Sequence, residues 1–225
     1  MGIREDRIFI SKVLTLAEAG KGAVSPNPKV GCVLVKNGKI IGEGYHKKFG
    51  GKHAEVVAIQ KAGRGLAGST AYINLEACCI EGKTPPCTKT LIENKIKKVV
   101  ISMLDPNPKI KGKGVQELKK NGIEVLSGTL EIQARELNKG FIKWITKGIP
   151  WVIGKAAQSF NGYLGMDSSS QTRITNQQCK EDVHRLRSGV DCVLVGRQTI
   201  LTDDPELTVR DITGRSPKRA VLDSR

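Results

Sequence analysis

The sequence predicts an α/β protein. A three-layer α/β/α sandwich is expected over residues 1–147, followed over 148–225 by part of a second α/β unit. Two observations predict it. Amphipathic helical segments alternate with short β-branched runs in the order α-β-β-α-β-α-β-α-β-α, and helices interleaved with strands cover both faces of a sheet. The pattern then breaks at Gly148-Ile149-Pro150 and starts afresh, since a helix does not continue comfortably into proline.

In order, Glu5–Ala19 reads as a helix, with Ile8, Val13, Leu16 and Ala17 near helical spacing and Gly20 as its stop. SPNPKVG at 25–31 is a loop by its Pro and Asn content. Val30–Lys36 is apolar on both faces, which places that strand inside a sheet. Asn37-Gly38 is a hairpin turn, and Lys39–Tyr45 returns from it. His53–Ala62 is a helix and Thr70–Leu75 a strand. Thr84 as N-cap before Pro85 predicts a helix reaching about Asn94, with Cys87 in its first turn. Lys98–Leu104 is a strand, Val115–Lys120 a helix, Ile123–Leu126 a short strand and Leu130–Thr146 one long helix. The second unit reads as a strand at Trp151–Ala157, a polar loop through SSSQT, a helix near Gln177–Arg187, a strand at Asp191–Gly196 and a further strand by the closing AVLDSR.

No apolar run approaches the roughly 20 residues that span a bilayer. The opening MGIREDRIFISK lacks the apolar stretch of a signal peptide, so a cytoplasmic, reducing location is expected, which suits thiolates. Net charge is +15 with a pI near 9.7, a balance that would attract a phosphorylated small molecule or a nucleic acid. Lysines are spread over helices as in IENKIKK and ELKKNG, without a block of five or six like charges, which argues against a dedicated nucleic-acid surface.

The run from Lys52 to Cys87 carries the chemistry. His53, Cys78 and Cys87 are a nitrogen and two sulfurs, the ligand types zinc prefers, and three protein ligands leave a fourth position for water. Zinc lowers the pKa of such a water from about 15.7 to about 7. Glu55, two residues from His53, is placed to carry a proton from that water to a leaving amine. The bland alternative is a packed histidine, buried thiols and an exposed first-turn carboxylate. Cys32, Cys79, Cys179 and Cys192 are read in that bland way. Zinc deaminases carry H-x-E followed by P-C-x-x-C; the first half fits, whereas Cys78 and Cys87 are more widely spaced.

That wider spacing, with HAE at 53–55, LEAC at 75–78, GKTPPC at 82–87, SPNPKVGC at 25–32 and DPNP at 105–108, resembles the bifunctional deaminase–reductase family of riboflavin biosynthesis. KAAQSFNG at 155–162, HRLRSGVDCVLVGRQT at 184–199 and DDPELTVR at 203–210 resemble its reductase half. The resemblance implies a cytidine-deaminase-like sandwich followed by the N-terminal part of a dihydrofolate-reductase-like domain, and a homo-oligomer. It assigns zinc to His53, Cys78 and Cys87 and proton transfer to Glu55. The substrate it implies is a pyrimidine ribosyl phosphate, contacted by Asn27, His46, Lys83, Asp105 and Asn107. It places NADPH by Ala157, Thr199 and Asp203, and reductase substrate by Arg187, Leu207 and Arg210. Family members continue past residue 225, so the second unit is expected to be part of its domain. Ile80 stands where the family has His, Asn161 where it has Asp and Arg173 where it has Trp. Two other readings stay open: a nucleic-acid or nucleoside deaminase, and a basic RNA-binding module with a structural zinc, for which Cys79 would have to be the fourth ligand.

Overall fold

A five-stranded mixed sheet orders the first part of the chain. Its strands are β1 (Gly31–Lys36), β2 (Lys39–Tyr45), β3 (Thr70–Leu75), β4 (Lys98–Met103) and β5 (Glu124–Ser127), in the order β2-β1-β3-β4-β5. β1 is antiparallel to β2 and to β3, whereas β3, β4 and β5 run parallel. The computed structural model describes residues 2–81, 85–165 and 172–224. The chain divides into two compact units, Met1–Trp151 and Val152–Arg225.

Strand periodicity sorts side chains to two faces. Val33, Val35, Tyr72 and Val100 pack with Ile10 and Val13 of α1 (Ile3–Glu18). Cys32, Leu34, Ala71, Ile73, Val99 and Ile101 pack on the other face with α2 (Ala54–Ala62), α3 (Cys87–Glu93) and α4 (Lys113–Lys120). α5 (Glu131–Leu137) contributes Ala134 to a third cluster with Leu75 and Met103. The three-layer sandwich expected from the alternation is therefore present, and the apolar runs of β1, β3 and β4 arise because both faces are covered. Two glycines bring α2 unusually close to β2. A Cβ at Gly42 would lie 2.4 Å from the Ala58 carbonyl oxygen, and one at Gly44 would lie 2.7 Å from Ala54 O and from Ala58 N.

Several boundaries differ from expectation. The long helix of residues 130–146 is broken into α5 and α6 (Lys139–Lys147) at Asn138. The Asn138 side chain is buried; its Oδ1 accepts from Lys29 N at 2.8 Å and its Nδ2 donates to Lys29 O at 3.0 Å. α3 begins at Cys87 with Pro86 at its N-cap. Pro85 cannot open the helix, because a residue before proline is driven out of the α region; Thr84, the expected cap, lies outside the described residues. α1 starts two residues earlier than expected, where Glu5 accepts from Gly2 N at 3.1 Å.

In the second unit, α7 (Gln177–Ser188) is followed by β6 (Cys192–Gly196), α8 (Arg197–Asp203) and β7 (Lys218–Leu222), and β6 and β7 pair in parallel. Asn176 caps α7, accepting from Cys179 N at 2.9 Å. Residues 151–157, expected as a strand, join no ladder among the described residues. Most of the SSSQT loop lies outside the described residues.

Candidate active site

The ends of β3 and β4 and the starts of α2 and α3 build one site. His53 is the N-cap residue of α2, with extended backbone, so its ring stands at the helix entrance while Glu55 falls in the first turn. Cys78 lies in the loop after β3. That loop is tied to α3, because Cys78 O accepts from Thr88 N at 3.2 Å and from Thr88 Oγ1 at 3.3 Å. Cys87 opens α3, and its amide donates to Cys78 Sγ at 3.3 Å. His53 Nδ1 lies 3.1 Å from Cys87 Sγ and 3.5 Å from Cys78 Sγ. One ligand atom from each of these three residues lies within 4.8 Å of the other two.

Electrostatics follow from that crowding. The Cys87 thiol and His53 stabilise the Cys78 thiolate, pulling it down to about 4 against the cost of burial. Cys87 is pushed up, since it shares its proton with Cys78 and is itself buried. His53 is raised by its hydrogen bond to Cys78. Glu55 is almost fully buried, and burial raises its carboxyl, reinforced by Cys78 and opposed by His53. Among the described residues its Oε2 has no hydrogen-bond partner. An unsatisfied buried carboxylate oxygen is costly, and here it sits beside a nitrogen-and-two-sulfur donor set. Both facts fit a zinc ion with an accompanying water.

Asn27 and His46 join the site from the side. Asn27 Nδ2 lies 3.2 Å from His46 Nε2, and His46 Nδ1 lies 3.0 Å from Lys52 O. With Nδ1–H donating to the carbonyl, Nε2 is left to accept from Asn27. The His46 ring stands edge-on to His53 with centroids 5.6 Å apart. Asp105 is buried in the loop after β4, and its Oδ1 accepts from Asn107 N at 2.8 Å. Lys83 lies outside the described residues. Cys79 is absent from the ligand cluster, and Ile80 is 43% exposed.

Sequence reasoning missed Glu76. Its buried carboxylate accepts from three backbone amides, those of Asp105, Gly112 and Val115. The available signal was an acid set directly after a mostly apolar, buried strand, in LEAC. Asn74 was missed too; fully buried, it accepts from Gly31 N and donates to Lys29 O, bracing the Asn27 loop.

Within the second unit, Arg187, Leu207 and Arg210 come together. Arg187 Nη1 donates to Thr208 O at 2.7 Å, and Arg210 N donates to His184 Nδ1 at 3.3 Å, one turn before Arg187 on α7. Leu207 is buried at a left-handed φ of 54°, a costly conformation of the kind that clusters at binding sites. Thr199 and Asp203 share one face of α8, just beyond the C-terminal end of parallel strand β6. That end of a parallel strand is where nucleotides bind in open α/β sheets, and Thr199 and Asp203 stand at that end of β6. Ala157 lies in the irregular segment before α7.

Fold and donor set together define a zinc-binding α/β sandwich of the deaminase class. Residues 3–103 match the family model described as the cytidine and deoxycytidylate deaminase zinc-binding region, and residues 150–225 match the RibD C-terminal domain. The riboflavin biosynthesis protein RibD of Aquifex aeolicus is 46% identical over 223 residues, covering 98% of this chain and 63% of that protein. The RibD of Escherichia coli is 43% identical, covering 92% of this chain and 56% of that one. A crystal structure from Thermotoga maritima, described as a diaminohydroxyphosphoribosylaminopyrimidine deaminase/5-amino-6-(5-phosphoribosylamino)uracil reductase, superposes with a TM-score of 0.94 at 43% identity, covering 98% of this chain and 64% of that one. Over nearly its whole length the chain is similar to RibD riboflavin biosynthesis proteins. It spans about three fifths of the length of these relatives.

Proposed function

We propose that the first unit deaminates 2,5-diamino-6-ribosylamino-4(3H)-pyrimidinone 5′-phosphate by hydrolysis. The observation that carries this is the convergence of His53, Cys78 and Cys87 beside the unpartnered, buried Oε2 of Glu55. His53, Cys78 and Cys87 would hold zinc, which supplies a Lewis acid that makes water acidic at neutral pH. Glu55 accepts a proton from the attacking water at its carboxylate and returns it to the leaving nitrogen. The ring carbon gains oxygen, its bond to the exocyclic nitrogen breaks and ammonia departs. Asn27 and His46 form one wall of the pocket, and Asp105 and Asn107 face the substrate from the loop after β4. Lys83 acts as a point charge toward phosphate.

The second unit belongs, on this reading, to an NADPH-dependent reductase that converts the ribosyl group to ribityl. NADPH supplies the hydride; Thr199, Asp203 and Ala157 would hold it. Arg187 and Arg210 direct the substrate phosphate, and Leu207 shapes its seat. No helix among the described residues is long and apolar enough to cross a membrane. The described cysteines are free, which suits a reducing cytoplasm, and family likeness supports a homo-oligomer.

Metal analysis combined with ammonia release from the pyrimidine phosphate, set against cytidine and RNA adenosine, tests the proposal. One zinc per chain and release from the pyrimidine phosphate alone are expected. Release from cytidine or RNA instead transfers the site to a nucleoside or nucleic-acid deaminase, and bound metal with no release favours a binding module.

A further inference from the structure

We propose that Glu76 is a positioning residue whose carboxylate holds the Asp105–Asn107 loop against the pocket. Glu76 itself is fixed to the sheet, because it follows β3 directly and its amide donates to Met103 O at the end of β4 at 3.0 Å. Its side chain then reaches across to the next loop. Oε2 accepts from Asp105 N at 3.1 Å and from Gly112 N at 2.9 Å, and Oε1 accepts from Val115 N at 3.1 Å. The residue is 4% exposed, so water does not stand in for these bonds.

The arrangement demands a carboxylate. Three donors converge on two oxygens, and only an ionised acid presents two acceptor atoms with no hydrogen of its own. Gln, of the same size, would turn an NH2 group toward one of the three amides. Two of the donors, at Gly112 and Val115, also belong to the N-terminus of α4, where the exposed amides favour negative charge. Among the described residues the loop's other hydrogen bonds are short-range: Asn107 N to Asp105 Oδ1, Lys109 N to Asn107 Oδ1, Ile110 N and Lys111 N to Asn107 O, and Lys113 N to Ile110 O. They fold the loop on itself and do not dock it. Glu76 supplies the docking, and it does so two residues before Cys78, from the rigid end of β3. The metal-bearing turn has its own tether to α3 through Thr88, so loss of the Glu76 bonds reaches the substrate side of the pocket first.

The kinetic arm of the test rests on the deaminase reading; the other two arms do not. In the full chain, Glu76→Gln and Glu76→Asp are compared with wild type by zinc stoichiometry, amide hydrogen exchange, and KM and kcat for ammonia release. For Glu76→Gln, one zinc per chain is retained and the amides of Asp105, Gly112 and Val115 exchange about tenfold faster. KM rises about tenfold with kcat within about threefold of wild type. Glu76→Asp, a carboxylate one methylene shorter, recovers part of the protection and part of the KM. Unchanged protection at the three amides overturns the proposal, as does joint loss of zinc and kcat at constant KM. Should Glu76→Gln fail to fold, Glu76→Asp decides: partial loss of protection with a smaller rise in KM supports the proposal, and wild-type behaviour overturns it. If wild type releases no ammonia, the deaminase reading fails, while exchange and zinc binding still judge Glu76.

Discussion

Gly114 sits so close to Ala77 that a Cβ on it would lie 2.2 Å from the Ala77 carbonyl oxygen. The backbone of α4 therefore presses directly on the turn that presents Cys78. At an ordinary exposed helix position, Gly→Ala stabilises by about 1 kcal/mol. Here Gly114→Ala is expected to cost about 1–3 kcal/mol, the usual scale of overpacking, and to weaken zinc retention. Urea unfolding reads the sign, and a stabilised variant would refute the contact.

Cys78→Ser and Cys87→Ser are expected to lose stoichiometric zinc, whereas Cys79→Ser keeps it, because Cys79 stands outside the ligand cluster. Removing zinc with a chelator should lower the unfolding temperature. At free zinc about a thousandfold above Kd, the stabilisation lost is about 4 kcal/mol. Metal analysis of the three variants, with thermal scans, decides the ligand set; zinc loss in Cys79→Ser alone would reassign it.

Glu55→Gln should fold and bind zinc, since the amide fills the same buried space, yet lose about 10²–10⁴ in kcat. Steady-state ammonia release measures this. A variant with near wild-type turnover would remove Glu55 from proton transfer.

Asp105 gives a pH signature. Burial, aided by Glu76 and Cys78, lifts its carboxyl to about 6 against the hydrogen bond from Asn107 N. A folded-state pKa above the unfolded value means that the native chain holds the extra proton between them. Its stability contribution therefore falls as pH rises from about 4 through about 6 and is level above that. Asp105→Asn keeps the acceptor for Asn107 N and removes the cost. In zinc-free protein it should be more stable than wild type at pH 7 by on the order of 1–2 kcal/mol, the gap closing by about pH 4. A gap independent of pH would contradict the assignment.

On the far face of the sheet, Tyr72 donates to the buried carboxylate of Asp6 at 2.8 Å, with Lys98 Nζ 3.4 Å from the same group. Tyr72→Phe leaves that carboxylate one partner short and should cost about 1–3 kcal/mol. Combined with Asp6→Asn the two losses should be less than additive, as residues sharing one hydrogen bond are. Strict additivity in denaturant unfolding would show that the bond contributes nothing.

The sandwich was legible because helical segments alternate with short strand-like runs, β1 is apolar on both faces and Asn37-Gly38 marks the hairpin between β1 and β2. Chemical type and spacing made His53, Glu55, Cys78 and Cys87 legible. Local signals failed where a distant partner decides the outcome. Asn138 looks like one more helix residue until its amide is seen bonded to Lys29. Glu76 stands in LEAC, but its role lies in three backbone amides far along the chain. Residues 151–157 have strand composition but join no ladder, and strand propensity without a partner does not make a strand.

Gly42 and Gly44 bring main chain against main chain where α2 rests on β2. No rotamer lies between them there, so the height of the helix that begins at His53 is set by covalent backbone geometry and not by how a side chain happens to pack. Ancestral drift among the surrounding Val, Ile and Leu positions can therefore proceed without retuning the imidazole and carboxylate at that helix start. The same arrangement makes both glycines intolerant: even a single methyl group would lift the helix and carry the two reactive groups away together.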